Sequence, residues 1–216
     1  MRKIKYLFEI LLFIGVTLAC VAQSSADEFF SVRRVYDGDT IELKNGMHVR
    51  YIGINAPEIS HQDKPGEPFG SESLAFNEKI VLSKQIRIQV DQEVLDQYNR
   101  RLAYIFLQDG TFVNQEIVRN GLAHVLYKSP NITYTAVLLK SQQEAMKAGK
   151  GMWANWKEKP SDYIGNKKSL RFHLRTCALG QRTSKQNQIQ FGRKWDAFWE
   201  GYAPCKKCMG QGAIEE

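Results

Sequence analysis

The chain has 216 residues, 43% of them hydrophobic and 25% charged, with a formal net charge of +7. That is enough apolar material for one good core, or one core plus a small module. After residue 26 no apolar run approaches the roughly 20 residues of a bilayer-spanning helix, so any span is confined to the N-terminus. The positive excess favours polyanions, whether nucleic acid or an anionic membrane surface.

The first 26 residues have the makeup of a secretory leader. Arg2, Lys3 and Lys5 form a basic start, 11–21 is almost wholly apolar, and Ser24-Ser25-Ala26 offers small residues at a cleavage position. The expectation is a signal peptide over 1–26 and an exported protein, periplasmic or extracellular. An uncleaved leader anchoring the chain in a membrane is the alternative, and Cys20 leaves a lipoprotein form open.

Strand-like sequence begins at Phe30. The β-rich run 30–36 ends at the turn Asp37-Gly38-Asp39, and Thr40-Ile41-Glu42-Leu43 alternates before Asn45-Gly46, a hairpin signal. A third strand is expected over 47–54, then a Pro/Gly-rich loop to residue 70. Helical periodicity covers 71–82, with strands over 85–90 and 102–107. Two more helices are expected, over 112–120 with Gly121 as its C-terminal cap, and over 133–148. Five short strands with about three interposed helices predict an α+β unit over 28–156, a five-stranded, partly open barrel of the OB-fold type. The charged stretch 157–168 is expected to be a linker, and 169–212 a second unit too small to hold itself together without a staple.

Chemistry-bearing residues recur at the edges of the strand-like runs: Asp37-Gly38-Asp39-Thr40, then Arg50 through Glu58, then Tyr98-Asn99-Arg100. One acid can hold a divalent cation, another can move a proton, and two arginines can grip a phosphate. Those are the parts of a phosphodiester hydrolase, whose transition state gathers negative charge on phosphate oxygens.

Four motifs in order carry a resemblance: Val35-Tyr36-Asp37-Gly38-Asp39-Thr40, Arg50-Tyr51-Ile52-Gly53-Ile54-Asn55-Ala56-Pro57-Glu58, Tyr98-Asn99-Arg100-Arg101-Leu102-Ala103-Tyr104, and the run from Val113 to Ala123. Over about 30–156 the chain resembles the thermonuclease family, the staphylococcal nuclease-like OB-folds. The resemblance implies a calcium-dependent nuclease acting on DNA and RNA, leaving 3′-phosphate and 5′-hydroxyl ends and working as a monomer. It implies Asp39 as a metal ligand, Ala56 as a ligand through its carbonyl, and Glu58 as the general base. Arg50 and Arg100 would be the phosphate-gripping arginines, and Tyr98 and Tyr127 the aromatics flanking the nucleotide. Asn55 stands where well-known members carry a second metal aspartate. Its amide oxygen can still coordinate, with one charge fewer. Asn55 is also the one feature that favours the competing reading, a non-catalytic OB-fold that binds nucleic acid.

Near the C-terminus His173-x3-Cys177 and Cys205-x2-Cys208 form two close pairs of soft or borderline ligands, compatible with tetrahedral zinc. The surrounding segments, Arg171 to Cys177 and Ala197 to Cys208, resemble the zinc-binding domain of DNA phosphotriester-repair methyltransferases. There four cysteines hold the metal; histidine in first place here implies a structural zinc and no methyl-accepting thiol at that position, with Arg171, Arg175, Lys206 and Lys207 available to grip DNA. A disulfide among the three cysteines is the alternative for an exported chain. His48, His61 and His124 show no ligand spacing and are expected on the surface or in loops.

Overall fold

A computed structural model describes residues 28–61 and 64–209. The expected leader and the last residues of the expected C-terminal unit lie outside them. Strand β1 (Phe29–Val35) pairs antiparallel with β2 (Thr40–Leu43), with Val35 opposite Ile41. The turn between them is closed by Tyr36 N donating to Thr40 O at 2.9 Å. Gly38 is obligatory in that turn, because a Cβ there would lie 1.8 Å from Ser73 Oγ. The Asn45-Gly46 signal does form the next hairpin, with Gly46 at φ 85° and β3 (His48–Tyr51) returning along β2.

The expected third strand is broken in two. Gly53 takes φ 80°, a left-handed conformation that ends β3, and the short β4 (Ile54–Asn55) leaves the barrel to pair with β7 (His124–Val125). Strands β5 (Gln85–Gln89) and β6 (Arg101–Leu107) complete the barrel. It is closed rather than partly open. β3 pairs in parallel with β6, Val49 opposite Arg101, and β5 returns to β1, giving the order β1-β2-β3-β6-β5. Inward alternation buries Ile41, Leu43, Val49, Ile86 and Ile105 completely.

The three expected helices are α1 (Gly70–Val81), α2 (Val113–Arg119) and α3 (Thr135–Lys147). Helix α3 buries Leu138, Ser141, Gln142, Ala145 and Met146, a spacing of three and four that marks one face. Leu138 belongs to the barrel core, whereas Ala145 and Met146 belong to a second cluster.

That second cluster is built with the C-terminal sheet. Strands β8 (Tyr163–Asn166), β9 (Arg171–Leu174), β10 (Gln188–Phe191) and β11 (Ala203–Pro204) run in the order β10-β8-β9-β11. Helices α4 (Ala178–Gln181), α5 (Lys194–Trp199) and α6 (Lys206–Met209) lie between or after them. The stretch 157–168 is therefore not a plain linker. It contains β8, whose Tyr163 and Ile164 are buried, and the carboxylate of Glu158 accepts from Lys194 N and Trp195 N at the start of α5. Ala145, Met146, Met152 and Trp153 share one apolar cluster with Phe172, Phe191 and Phe198, so the two units meet through a common core. Gln142 ties them further, accepting from Val125 N and donating to Phe198 O, while Gln143 donates to Trp199 O at 2.9 Å.

Candidate active site and a cysteine-histidine centre

A cleft of about 230 Å³ opens at the bend between β3 and β4, lined among others by Asp37, Asp39, Arg50, Asn55, Glu58, Arg100, Lys128 and Lys206. Asp39 sits where the β1-β2 turn re-enters the barrel. Its Oδ1 accepts from Thr40 Oγ1 at 3.0 Å, and its Oδ2 accepts from Ala56 N at 2.7 Å and faces Arg50 Nη2 at 2.9 Å. Arg50 lies on β3 between Val49 and Tyr51, both of which point into the core, so its side chain emerges on the other face. Its Nη1 donates to Tyr51 O and Ile54 O, and its Nη2 to Asn55 Oδ1 at 3.3 Å. Asn55 Nδ2 in turn donates to Ala56 O at 3.3 Å. An amide can accept on one side and donate on the other; a carboxylate here could only accept.

Glu58 is held by its backbone. Its N–H donates to Glu67 Oε2 at 2.9 Å, and a Cβ at Gly70 would lie 2.4 Å from Glu58 O, so the loop folds tightly around it. Its carboxylate faces the cleft, 4.0 Å from Lys206 Nζ. Arg100 is aimed by Asp96: Nε and Nη2 reach Asp96 Oδ2 at 2.8 and 2.7 Å, while Asp96 Oδ1 accepts from the backbone N–H groups of Tyr98 and Arg100. Burial pushes the Asp96 carboxyl up, but these hydrogen bonds and the Arg100 charge outweigh it and hold the group below the usual carboxylate range.

Neither expected nucleotide-flanking tyrosine lines the cleft itself, although the Arg100 guanidinium lies 5.5 Å from the centre of the Tyr98 ring. Tyr98 is 70% exposed and lines a neighbouring groove with Leu95, His48, Arg100 and Arg101, so Arg100 borders both the groove and the cleft. Tyr127 is half-buried; Leu126 and Lys128 on either side of it line the cleft, and it does not. Sequence reasoning missed Asp37, Asp96, Lys128 and Asn131 as site residues, and it assigned Lys206 to DNA contact without placing it in this cleft. Asp37 shares the turn of Asp39, and Asp96 lies four residues before Arg100, so both left a readable signal. The place of Lys206 beside Glu58 left no signal, because it arrives by tertiary docking.

The donor set suits a hard cation. Asp37 and Asp39 bring carboxylates, and Asn55 and Ala56 bring amide and backbone oxygens close by, the oxygen ligands calcium takes. Burial, and after it the charge of Asp39, hold the Asp37 carboxyl well above its ordinary range. Negative charge is in excess at this turn, and a bound cation would relieve it.

His124 corrects an expectation. It is buried in β7, its Nδ1–H donating to Val125 O at 2.9 Å and its ring 5.4 Å from that of Phe198. Burial, reinforced by the positive charges of Arg171 and Lys206, depresses it to about 4, against the raising influence of the Val125 carbonyl and Asp39. A histidine depressed in the fold binds fewer protons there than in the unfolded chain, so stability is intact above the ordinary value near 6.5 and is lost as pH falls toward 4. Asp37 acts with the opposite sign, its raised carboxyl adding stability as pH falls. The comparison with His124→Asn isolates the histidine. Urea denaturation at pH 7 and pH 4.5 should show the parent losing about 2–3 kcal/mol more than the variant. Equal losses would mean that His124 does not titrate in this way.

The C-terminal pairs converge. The ligand atoms of His173, Cys177, Cys205 and Cys208 all lie within 4.8 Å of one another, and the three cysteines are free thiols. Tetrahedral zinc spaces thiolates roughly 3.8 Å apart, so a small contraction would close a shell. Burial depresses His173, favouring the neutral imidazole that a metal needs.

Comparison with known proteins places these features in a family context. The family model described as staphylococcal nuclease homologue matches residues 48–155. The thermonuclease of Staphylococcus intermedius is 36% identical over 137 residues, covering 61% of this chain and 81% of that protein. The thermonuclease of Staphylococcus hyicus is 33% identical over 132 residues, covering 60% and 78%. The SPbeta prophage-derived endonuclease YokF of Bacillus subtilis (strain 168) is 32% identical over 126 residues, covering 56% and 42%. The cysteine-histidine centre lies beyond the residues that the family model matches.

Proposed function

The chain belongs to the staphylococcal nuclease homologues and is a nuclease, and from that premise we propose an exported, calcium-dependent endonuclease of DNA and RNA that works as a monomer and leaves 3′-phosphate and 5′-hydroxyl ends. One observation carries the reading: Asp39, Arg50, Asn55, Glu58 and Arg100, dispersed in the sequence, line a single cleft. Held by Asp39, Asn55 and the Ala56 carbonyl, with Asp37 alongside, calcium would supply positive charge for a phosphate oxygen and an acidified water. Glu58 takes the proton of the attacking water, its carboxylate being open to the cleft. Arg50 and Arg100 donate paired hydrogen bonds to the phosphate oxygens as charge builds on them. Tyr98 and Tyr127 flank the bound nucleotide from outside the cleft. The composition of residues 1–26 supports export, and among the described residues no helix is long and apolar enough to cross a membrane. His173, Cys177, Cys205 and Cys208 hold a structural zinc, supported by their mutual approach within tetrahedral reach.

Plasmid digestion by the purified protein tests the reading. Calcium should support cutting, a chelator should stop it, and the 5′ ends should accept label from a polynucleotide kinase without prior phosphatase. Intact plasmid across calcium, manganese and magnesium would defeat the metal assignment. Asn55→Asp should lower the half-maximal calcium concentration about tenfold, the equivalent of roughly 1.4 kcal/mol from one added ligand charge. An unchanged calcium dependence would remove Asn55 from the ligand set.

A further inference from the structure

Lys206 belongs to the C-terminal unit in sequence, yet it lines the nuclease cleft. It follows Cys205 and precedes Cys208 by two residues. Three constraints fix its backbone. β11 runs in parallel register with β9, Pro204 opposite Phe172, and Cys205 N donates to Phe172 O at 2.9 Å. Cys205 and Cys208 close the cluster with His173 and Cys177. The end of α5 is tied to α3 through Gln142 and Gln143.

We propose that Lys206 is a substrate-positioning residue of the nuclease, and that the cysteine-histidine metal knot aims it. Its ammonium takes a phosphate oxygen of the nucleic acid beside the scissile bond, so metal in the C-terminal unit sets the substrate affinity of a cleft it does not touch. The contact with Glu58 does not account for this lysine. At 4.0 Å and with the lysine side chain 70% exposed, the pair is loose and wet, and pairs of that kind contribute little to stability. The cleft arginines are each already held by an aspartate, Arg50 by Asp39 and Arg100 by Asp96. Lys206 brings a compact charge on a flexible stem, suited to a phosphate whose position varies with the bound nucleotide.

The inference rests on the nuclease reading, and one set of measurements separates the two. Rates on DNA are measured in excess calcium across a salt series for the parent, Lys206→Ala, Lys206→Arg, Cys208→Ser and the double variant Lys206→Ala/Cys208→Ser, with bound zinc determined in each. Lys206→Ala should raise KM about three- to tenfold, with kcat within roughly twofold of the parent, and should make the salt dependence shallower by about one unit of slope. Lys206→Arg should restore KM. Cys208→Ser should lose the zinc found in the parent and reproduce the KM shift, and the double variant should be no worse. Should Cys208→Ser not fold, the parent stripped by a zinc-selective chelator and returned to calcium serves in its place. Parental KM and salt slope in Lys206→Ala overturn the proposal. A full additive penalty in the double variant, or a parent without zinc, overturns the coupling to the metal knot. A parent that cuts no DNA defeats the nuclease reading alone, and anisotropy of a labelled single-stranded DNA then reads the Lys206 contact in the same variants.

Discussion

Replacing Arg100 with alanine is expected to lower kcat for DNA hydrolysis about 10²- to 10³-fold, the usual loss when one fixed donor to a developing negative charge is removed. The fold should survive. Asp96 Oδ1 keeps its backbone hydrogen bonds to residues 98 and 100, so the turn stays closed without the guanidinium. Arg100 is partly exposed, and losing its ion pair should cost no more than about 1 kcal/mol. Kinetics beside a thermal melt provide the check. Hydrolysis at the parental rate would mean that Arg100 is a structural partner of Asp96 and no more. Asp96→Asn offers a finer probe: the amide can still accept from the backbone, but the guanidinium loses its charged anchor and activity should fall part of the way.

The largest effect on stability is expected at Phe198. It is fully buried, with ring centroids 5.2 Å from Trp153, 5.3 Å from Phe172 and 5.9 Å from Trp156. Phe198→Ala removes a central aromatic from a close-packed cluster and should cost about 3–5 kcal/mol in guanidinium denaturation. A loss below 1 kcal/mol would mean that the C-terminal sheet is only loosely laid against the barrel. By the same reasoning, a chain ending at Trp156 would lose Phe172, Phe191 and Phe198 from that cluster and expose Trp153.

The parts legible in the sequence were those set by local rules. The Asp37-Gly38-Asp39 and Asn45-Gly46 turns, the alternation over 40–43 and 85–90, and the apolar faces of 71–82 and 133–148 all follow from neighbours a few residues apart. Closure of the barrel was not legible, because it depends on a parallel pairing of β3 with β6 that no local pattern announces. The two-residue strands β4 and β7 are too short for any periodicity. β8 hid in the charged stretch 157–168 because only Tyr163 and Ile164 mark it, and its burial comes from partners far along the chain. At the site, residues in dense motifs could be read, and so could the spacing of His173, Cys177, Cys205 and Cys208. The burial of His124 could not, and neither could the location of Lys206, whose DNA contact was expected on the C-terminal unit and not in this cleft. One is buried and the other brought to the cleft by docking of the C-terminal unit, a property of the assembled surface rather than of any segment.

The parallel seam between β3 and β6 has a consequence in time. Arg50 is opposite Leu102 in that seam, and Arg100 directly precedes it, so the seam brings the two arginines to one cleft. Such a seam joins residues distant along the chain, and contacts of that kind form late because the intervening segment must first be ordered. A chain lacking this pairing can hold its β1-β2-β3 hairpins and still keep Arg50 and Arg100 apart. Hydrolysis that uses both arginines therefore waits on this pairing, since neither β3 nor β6 alone brings Arg50 and Arg100 together.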